Sequence, residues 1–312
     1  MSVLFIGCLP EDFGGGATAT TNTTFFDATY TDKAVACANN VSMGVPYPSP
    51  TGKVHIHYEC YTCSGWASSG TDGFWFTARD GIGGTALWRL DFLNGDLTII
   101  TYGTGGSTGS YTLSLAANAR YTFDFTEEVV SGVRTINAYV NGALVLTNSS
   151  SDSTRATYLD FAHNDMTNGV NYYSEFYITD NDQVTIGTRL ALLAGDGAGN
   201  YTDGTGTFAN LDTVGASGLE LDATEQYSYT LANLPVSPTA ISSVVAKVRG
   251  VPSASVTQVN PFLRISATDY ADGNSAVDTD GIIAEWAANP ATAGAWTETA
   301  VNALEFGLTA VA

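Results

Sequence analysis

Two apolar runs rich in β-forming residues flank Asn141-Gly142 in the stretch Thr135-Ile-Asn-Ala-Tyr-Val-Asn-Gly-Ala-Leu-Val-Leu-Thr147. Asn-Gly accepts the positive φ angles of a type I′ turn, and the twist of that turn matches the twist of paired strands. This is the strongest hairpin signal in the chain, and the same strand–turn–strand grammar recurs along it. Asn94-Gly95 offers a second such turn, between Ala86–Leu93 and Leu97–Tyr102. Val54 to Thr62 alternates, with Val54, Ile56, Tyr58 and Cys60 on one face and His55, His57, Glu59 and Tyr61 on the other. Side chains alternate along a strand, so the first set should face a core.

Further short strands are expected at Phe25-Phe26, Ala34–Cys37, Gly73–Ala78, Tyr111–Leu115, Tyr121–Phe125, Thr157–Phe161 and Tyr172–Ile178. Many short alternating strands separated by turn residues predict a sandwich or barrel. At 312 residues the chain suits two domains. The expected division is an N-terminal strand and extended segment over 1–24, a first β-domain over 25–183 and a second, smaller one over 184–312. In the second, strands are expected near 190–193, 218–223, 227–234, 241–249, 262–266, 281–286 and 303–308, and Glu305–Val311 reads as a terminal strand rather than as helix.

Charge narrows the function classes. Charged residues make up only 13% of the chain, so solubility leans on Thr, Ser, Asn and Gly. The net charge of −20 repels phosphate backbones and argues against nucleic-acid binding. No segment approaches the ~20 apolar residues of a membrane-spanning helix. Leu4–Cys8 has a short apolar run before a cysteine, but it lacks a basic flank and meets Pro10-Glu-Asp too soon for an ordinary signal peptide. It reads as a strand.

Several clusters invite a chemical reading. His55, His57, Cys60 and Cys63 have the residue types of a zinc site but not its spacing. On a continuous strand His55 and Cys63 lie roughly 26 Å apart, at about 3.3 Å per residue, and Cys60 points away from the other three. Four cysteines do not make a disulfide scaffold at this length; whether Cys8, Cys37, Cys60 and Cys63 are free or paired stays open. Glu127 and Glu128 are adjacent, so they point to opposite faces and do not form a glycosidase acid–nucleophile pair. No Gly-x-Ser-x-Gly elbow occurs, and no organic cofactor is implied. These readings predict a non-enzyme.

Calcium is the better metal candidate. Asp269, Asp272, Asn274, Asp278 and Asp280 lie in an oxygen-rich stretch with two glycines, and calcium takes six to eight hard oxygens. The spacing departs from an EF-hand, and a solvated acidic turn is the competing reading; Asp180 and Asp182 form a smaller acidic pair. Trp75 and Trp88 sit in strands and read as core. Trp66, Trp286 and Trp296 lie near strand ends or loops, where they are candidates for stacking on sugars or anchoring a partner, against local packing.

Residues 25–180 resemble a concanavalin A-like jelly roll of the laminin-G type. The likeness rests on Phe74-Trp-Phe76, Leu87-Trp-Arg-Leu90 with Asn94-Gly95, Tyr121-Thr-Phe-Asp-Phe125, Ile136-Asn-Ala-Tyr-Val-Asn-Gly-Ala-Leu-Val145 and Tyr172–Asp180. The whole chain is similar to virion structural proteins of tailed bacteriophages, in which such a domain precedes a second β-sandwich. Asn289-Pro-Ala-Thr-Ala-Gly-Ala-Trp-Thr297, Val301-Asn-Ala-Leu-Glu-Phe-Gly307 and the Ser2–Gly7 start carry that likeness.

The resemblance implies a non-catalytic accessory protein, first of all a capsid-surface decoration or cement protein, in virions assembled in the host cytoplasm. Partners would be other virion proteins and sister copies, with a homotrimer expected. The N-terminal strand and Gly14–Gly16 are the natural docking elements, because an extended chain can add to a neighbour's sheet. The alternative is a tail- or fibre-associated module that binds host glycans.

Overall fold

The computed structural model of the chain describes residues 2–7, 10–37, 42–61, 75–93, 96–113, 115–116, 118–162, 170–180, 185–206 and 218–312. Two compact units result, Met1–Leu190 and Ala191–Ala312. Almost every element is a strand. In the first unit these are β1 (Ser2–Gly7), β2 (Gly14–Gly15), β3 (Thr18–Thr20), β4 (Ala34–Cys37), β5 (Ser42–Pro46), β6 (Val54–Tyr61), β7 (Trp75–Arg79) and β8 (Ala86–Leu93), followed by β9 (Asp96–Thr101), β10 (Thr108–Thr112), β11 (Arg120–Val130), β12 (Val133–Val140), β13 (Ala143–Ser151), β14 (Tyr158–Ala162) and β15 (Asn171–Asp180).

One sheet runs β13-β12-β11-β6-β15-β4-β3, with β1 also on β15; the other runs β10-β9-β8-β7-β14-β5-β2. The chain passes back and forth between them, which makes the unit a jelly-roll sandwich. All the strand pairs are antiparallel.

The first core lies between the sheets, as the alternation in β6 requires. Val54, Ile56, Tyr58 and Cys60 share it with Phe123 and Phe125 of β11, and with Phe76, Trp88, Leu90 and Phe161 of the opposite sheet. Phe125 meets Phe76 at 5.5 Å and Tyr58 meets Phe161 at 6.1 Å, both across the sandwich. Each such fully buried side chain contributes roughly 1.5–3 kcal/mol. Cys37 and Cys60 are buried thiols, while Cys8 and Cys63 lie outside the described residues.

The hairpin turn has the geometry its sequence predicts, with Asn141 at φ 49° and Gly142 at φ 79°. Asn141 also ties the turn to β11, because its Oδ1 accepts from the Thr122 backbone N–H at 3.0 Å. Ser131 and Gly132, at φ 51° and 79°, make a second turn of the same kind between β11 and β12. Asn94-Gly95 lies outside the described residues, although the strands it joins pair with Leu93 opposite Asp96.

Strand β13 of one sheet is stitched to β9 and to the turn before β10 of the other. Ser107 Oγ donates to Asn148 Oδ1 at 2.6 Å, and Asn148 Nδ2 donates to the Ile99 carbonyl at 2.8 Å. The N-terminal segment is likewise consumed: β1 pairs with β15, and Gly14–Gly15 pair with β5. Sequence alone leaves those stretches free to dock on a neighbour; in the structure their hydrogen bonds serve their own unit. Phe25-Phe26 forms a turn rather than a strand.

The second unit holds β16 (Gly195–Thr202), β17 (Gln226–Leu231), β18 (Val244–Val248), β19 (Gln258–Ile265), β20 (Thr268–Ala271), β21 (Ser275–Ala276), β22 (Ile282–Trp286), α1 (Glu298–Val301) and β23 (Glu305–Val311). A sheet β16-β17-β23-β19-β20, with β21 on β19, is accompanied by the pair β18-β22. Leu263 and Phe306 from the larger sheet share a core with Ala284 and Trp286 from the smaller, and with Trp296, Val301 and Leu304. The unit is a small sandwich. The short helix and the terminal strand both form: Thr297 caps the helix by accepting from the Ala300 N–H at 3.2 Å, and β23 follows directly.

Candidate functional site

The chemically distinctive region is the outer face of the β6–β11–β15 sheet. Alternation puts His55, His57 and Glu59 on that face, and the structure buries it as thoroughly as the core face, since all eight residues of β6 are buried. In the β6–β11 register Asp124 stands directly opposite His57, and Thr126 opposite His55. Paired residues on adjacent strands share a face, so the Asp124 side chain meets both rings.

Oδ1 of Asp124 lies 2.8 Å from Nε2 of His55 and 2.7 Å from Nδ1 of His57. Both rings pack on Tyr177, His57 stacked at 4.8 Å and His55 edge-on at 5.6 Å. Asp124 and His57 have no exposed surface and His55 has 2%. The other ring nitrogens, His55 Nδ1 and His57 Nε2, and the second carboxylate oxygen, Asp124 Oδ2, have no hydrogen-bond partner.

Burial pushes the His57 ring below the ordinary imidazole range, against the pull of Asp124. Burial alone would raise Asp124; hydrogen bonds from the two rings override it and hold the carboxyl at about 2. At neutral pH the cluster is thus a carboxylate between imidazoles, of which His57 is held neutral. Such a set can accept a metal ion or hold a proton. Neither free ring nitrogen touches a nucleophile among the described residues.

Beside it sits a charged clamp. Apolar residues in β15 fall at Tyr173, Phe176 and Ile178, a spacing of three and then two, and a β-bulge between Ser174 and Tyr177 absorbs the extra residue. The bulge holds Glu175 at φ 55° and turns it toward the polar face. Arg189 grips Glu175 through two nitrogens and reaches Glu59 at 3.1 Å. Glu59 also accepts from the Asp27 N–H at 3.0 Å and from Ser174 at 3.2 Å. The hydroxyl of Tyr177 donates to the Thr188 carbonyl at 2.9 Å, so residues 185–190 strap the face. Burial pushes the Glu175 carboxyl up to about 7, with Glu59 and Asp27 adding like charge against the pull of Arg189.

The structure places each residue of the two sequence-derived site readings. The calcium stretch does not close into a loop. Its residues extend along β19, with β20 pairing to the Phe262–Ile265 end and β21 to the Gln258–Val259 end. Among the described residues no three of Asp269, Asp272, Asp278 and Asp280 converge; Asn274 lies between β20 and β21. Asp269 is instead taken by Arg264 and by the Tyr201 hydroxyl, each at 2.6 Å. Asp180 is an anchor for a loop, accepting from Thr51 N at 2.7 Å and Gly52 N at 2.6 Å; Asp182 lies outside the described residues.

The second reading concerns tryptophan. Trp286 and Trp296 are core residues, 6% and 4% exposed, and Trp296 Nε1 donates to the Trp286 carbonyl at 2.7 Å. They offer no stacking surface. Trp66 lies outside the described residues. Glu127 and Glu128 do face opposite ways, and Glu127 is paired inside the sandwich with Arg134 at 3.0 Å.

Asp124 is the site residue that sequence reasoning passes over. Alternation with Phe123 and Phe125 marks it as facing away from the core, but only the pairing of β6 with β11 brings it to the histidines.

No family model matches the chain, and no curated protein matches its sequence. Solved structures with some likeness include the botulinum neurotoxin type G receptor-binding domain (13% identity, 56% of this chain and 44% of that one, TM-score 0.36). Others are the Caenorhabditis elegans galectin LEC-6 (17%, 44% and 89%, TM-score 0.32) and the carbohydrate-binding module CBM66 from Bacillus subtilis (11%, 53% and 96%, TM-score 0.35). The chain spans less than half the length of the neurotoxin domain it matches. Likeness at this level says nothing of chemistry, and the fold assignment above stands on strand order. Among the described residues no helix is long and apolar enough to cross a membrane.

Proposed function

We propose that this chain is a non-catalytic accessory structural protein of a phage particle, a decoration or cement protein that acts by surface contact with the shell and with sister copies, as a homotrimer. The observation that carries the reading is where the reactive groups sit. His55, His57, Asp124, Glu127, Arg134 and Glu175 are each at most 2% exposed and are occupied with one another or with Arg189. Among the described residues these groups are shut off from solvent, which favours a structural over a catalytic role.

The surface offers contacts instead. Val130 and Val133, paired at the tip of the β11–β12 hairpin, are 58% and 44% exposed, and Leu144, beside the opposite turn, is 57% exposed. Apolar side chains at hairpin ends suit burial against another protein. The acidic surface suits the outside of a shell filled with DNA. The likeness of Asn289–Thr297 and Val301–Gly307 to phage virion proteins supports the same reading.

A glycan-binding module is the second reading, and Tyr111 favours it. This tyrosine lies on edge strand β10 and is 44% exposed, so its ring can stack on a sugar face. One set of experiments separates the two. Antibodies raised against the purified protein should label intact particle heads, the protein should elute at three times its 32.6 kDa chain mass, and a glycan array should stay blank. Tight sugar binding without head labelling would sink the structural reading.

A further inference from the structure

We propose that His55, His57 and Asp124 form a structural site for one divalent transition-metal ion of the zinc type, bridging β6 and β11 beneath the strap of residues 185–190. The donors are suited to it: two imidazoles and a carboxylate, with ligand atoms all within 4.8 Å of one another. Imidazole suits zinc, and zinc also takes carboxylate oxygen. Zinc bonds of about 2.0–2.2 Å set tetrahedral neighbours about 3.4 Å apart. The N–O contacts of 2.7 and 2.8 Å need to open by about 0.6–0.7 Å, within reach of small side-chain rotations.

The surroundings point the same way. Oδ1 of Asp124 takes both ring contacts while Oδ2, equally buried, has none. A buried carboxylate usually has its remaining lone pairs satisfied, and an anion without a close counter-charge is costly. Arg189, the guanidinium whose charge bears on the His57 ring, is already gripping Glu175 and Glu59. Thr179 stands opposite His55 in the β6–β15 register, is 2% exposed, and its hydroxyl also has no partner. Asp124 Oδ2 and Thr179 Oγ1 are thus two unused oxygens beside the donor set, available to complete a four-coordinate shell. Tyr177 closes the face over the rings. A site so enclosed loads as the chain folds, which makes binding energy folding energy.

The test is expression of the full chain in medium supplemented with cobalt, a spectroscopic substitute for zinc. The expected product carries one cobalt per chain, shows visible d–d bands of a tetrahedral nitrogen–oxygen site, and lacks the near-ultraviolet charge-transfer bands of thiolate ligands. His55→Gln and Asp124→Asn should each lower retained metal at least about tenfold with the β-sheet circular dichroism unchanged. Native protein with no bound metal overturns the proposal, as does metal retained in full by either folded variant, or a thiolate spectrum. If both variants fail to fold, the native protein decides alone: chelator added during unfolding should lower its thermal midpoint and zinc should restore it, and a midpoint indifferent to both overturns the site.

Discussion

Arg134 and Glu127 sit wholly inside the first sandwich, on the same face as Phe125 and Ile136. Arg134 survives there because every nitrogen has a partner: Glu127, the Leu87 and Thr154 carbonyls, and Asp152. Glu175 is held differently. Its carboxyl is raised from 4.5 to about 7, so the folded state binds a proton that the unfolded chain releases first. The stability it contributes is full below about pH 4.5 and is lost as pH rises through 7. Glu175→Gln removes that titration. In urea titrations across this range, native protein should lose stability relative to Glu175→Gln by about 3 kcal/mol, at ~1.4 kcal/mol for each tenfold difference in proton affinity. Parallel pH profiles for the two proteins would refute the assignment.

At the scale of the element, two glycines separate two demands on a strand. Gly142 has φ 79° and open space where a Cβ would stand, so Gly142→Ala meets only the left-handed backbone penalty, about 1 kcal/mol. Gly307, in the middle of β23, has a different problem: a Cβ there would overlap the Phe262 ring, which is fixed in the second unit. Gly307→Ala should therefore cost more, about 1–3 kcal/mol from overpacking. Denaturant midpoints of the two variants check the order, and a larger loss at Gly142 would contradict it. The hairpin is legible in the sequence because Asn-Gly is a local signal. The bulge in β15 leaves a local trace too, since its apolar spacing breaks the alternation at Ser174-Glu175. β16 leaves none: its Gly-Asp-Gly-Ala-Gly-Asn run has no strand signature of its own and pairs only because β17 lies beside it. Leu190–Leu193 fails in the opposite way: it has apolar residues but no partner edge, and it runs as irregular chain.

For the molecule as a whole, the strap of residues 185–190 decides where the first unit ends. Sequence places the boundary after 183, at a run of turn residues, whereas compactness divides the chain after Leu190. The stretch between the two boundaries carries Thr188 and Arg189. A fragment ending at 190 keeps the clamp on Glu175 and Glu59; one ending at 183 leaves those carboxylates buried without their cation. Loss of one partner from a buried pair typically costs about 3–5 kcal/mol. The shorter fragment should be less stable by that order, and the deficit should be larger at pH 8 than at pH 5, where Glu175 is protonated. Equal melting of the two fragments would show that the strap contributes nothing.

Sequence by itself determined that almost every element is a strand, that the first half is a sandwich or barrel containing an Asn-Gly hairpin, and which side of β6 faces the core. These follow from alternation and turn chemistry, which act over a few residues. That the sandwich is a jelly roll was only what a resemblance implied until the strand order showed it. Only the tertiary structure decided what the other side of β6 does. Asp124 reaches His55 and His57 through a pairing of strands far apart in the chain, and Arg189 closes over the face from farther still. The same distance effect decided the tryptophan reading. Trp286 and Trp296, which looked marginal at strand ends, were drawn together into a core.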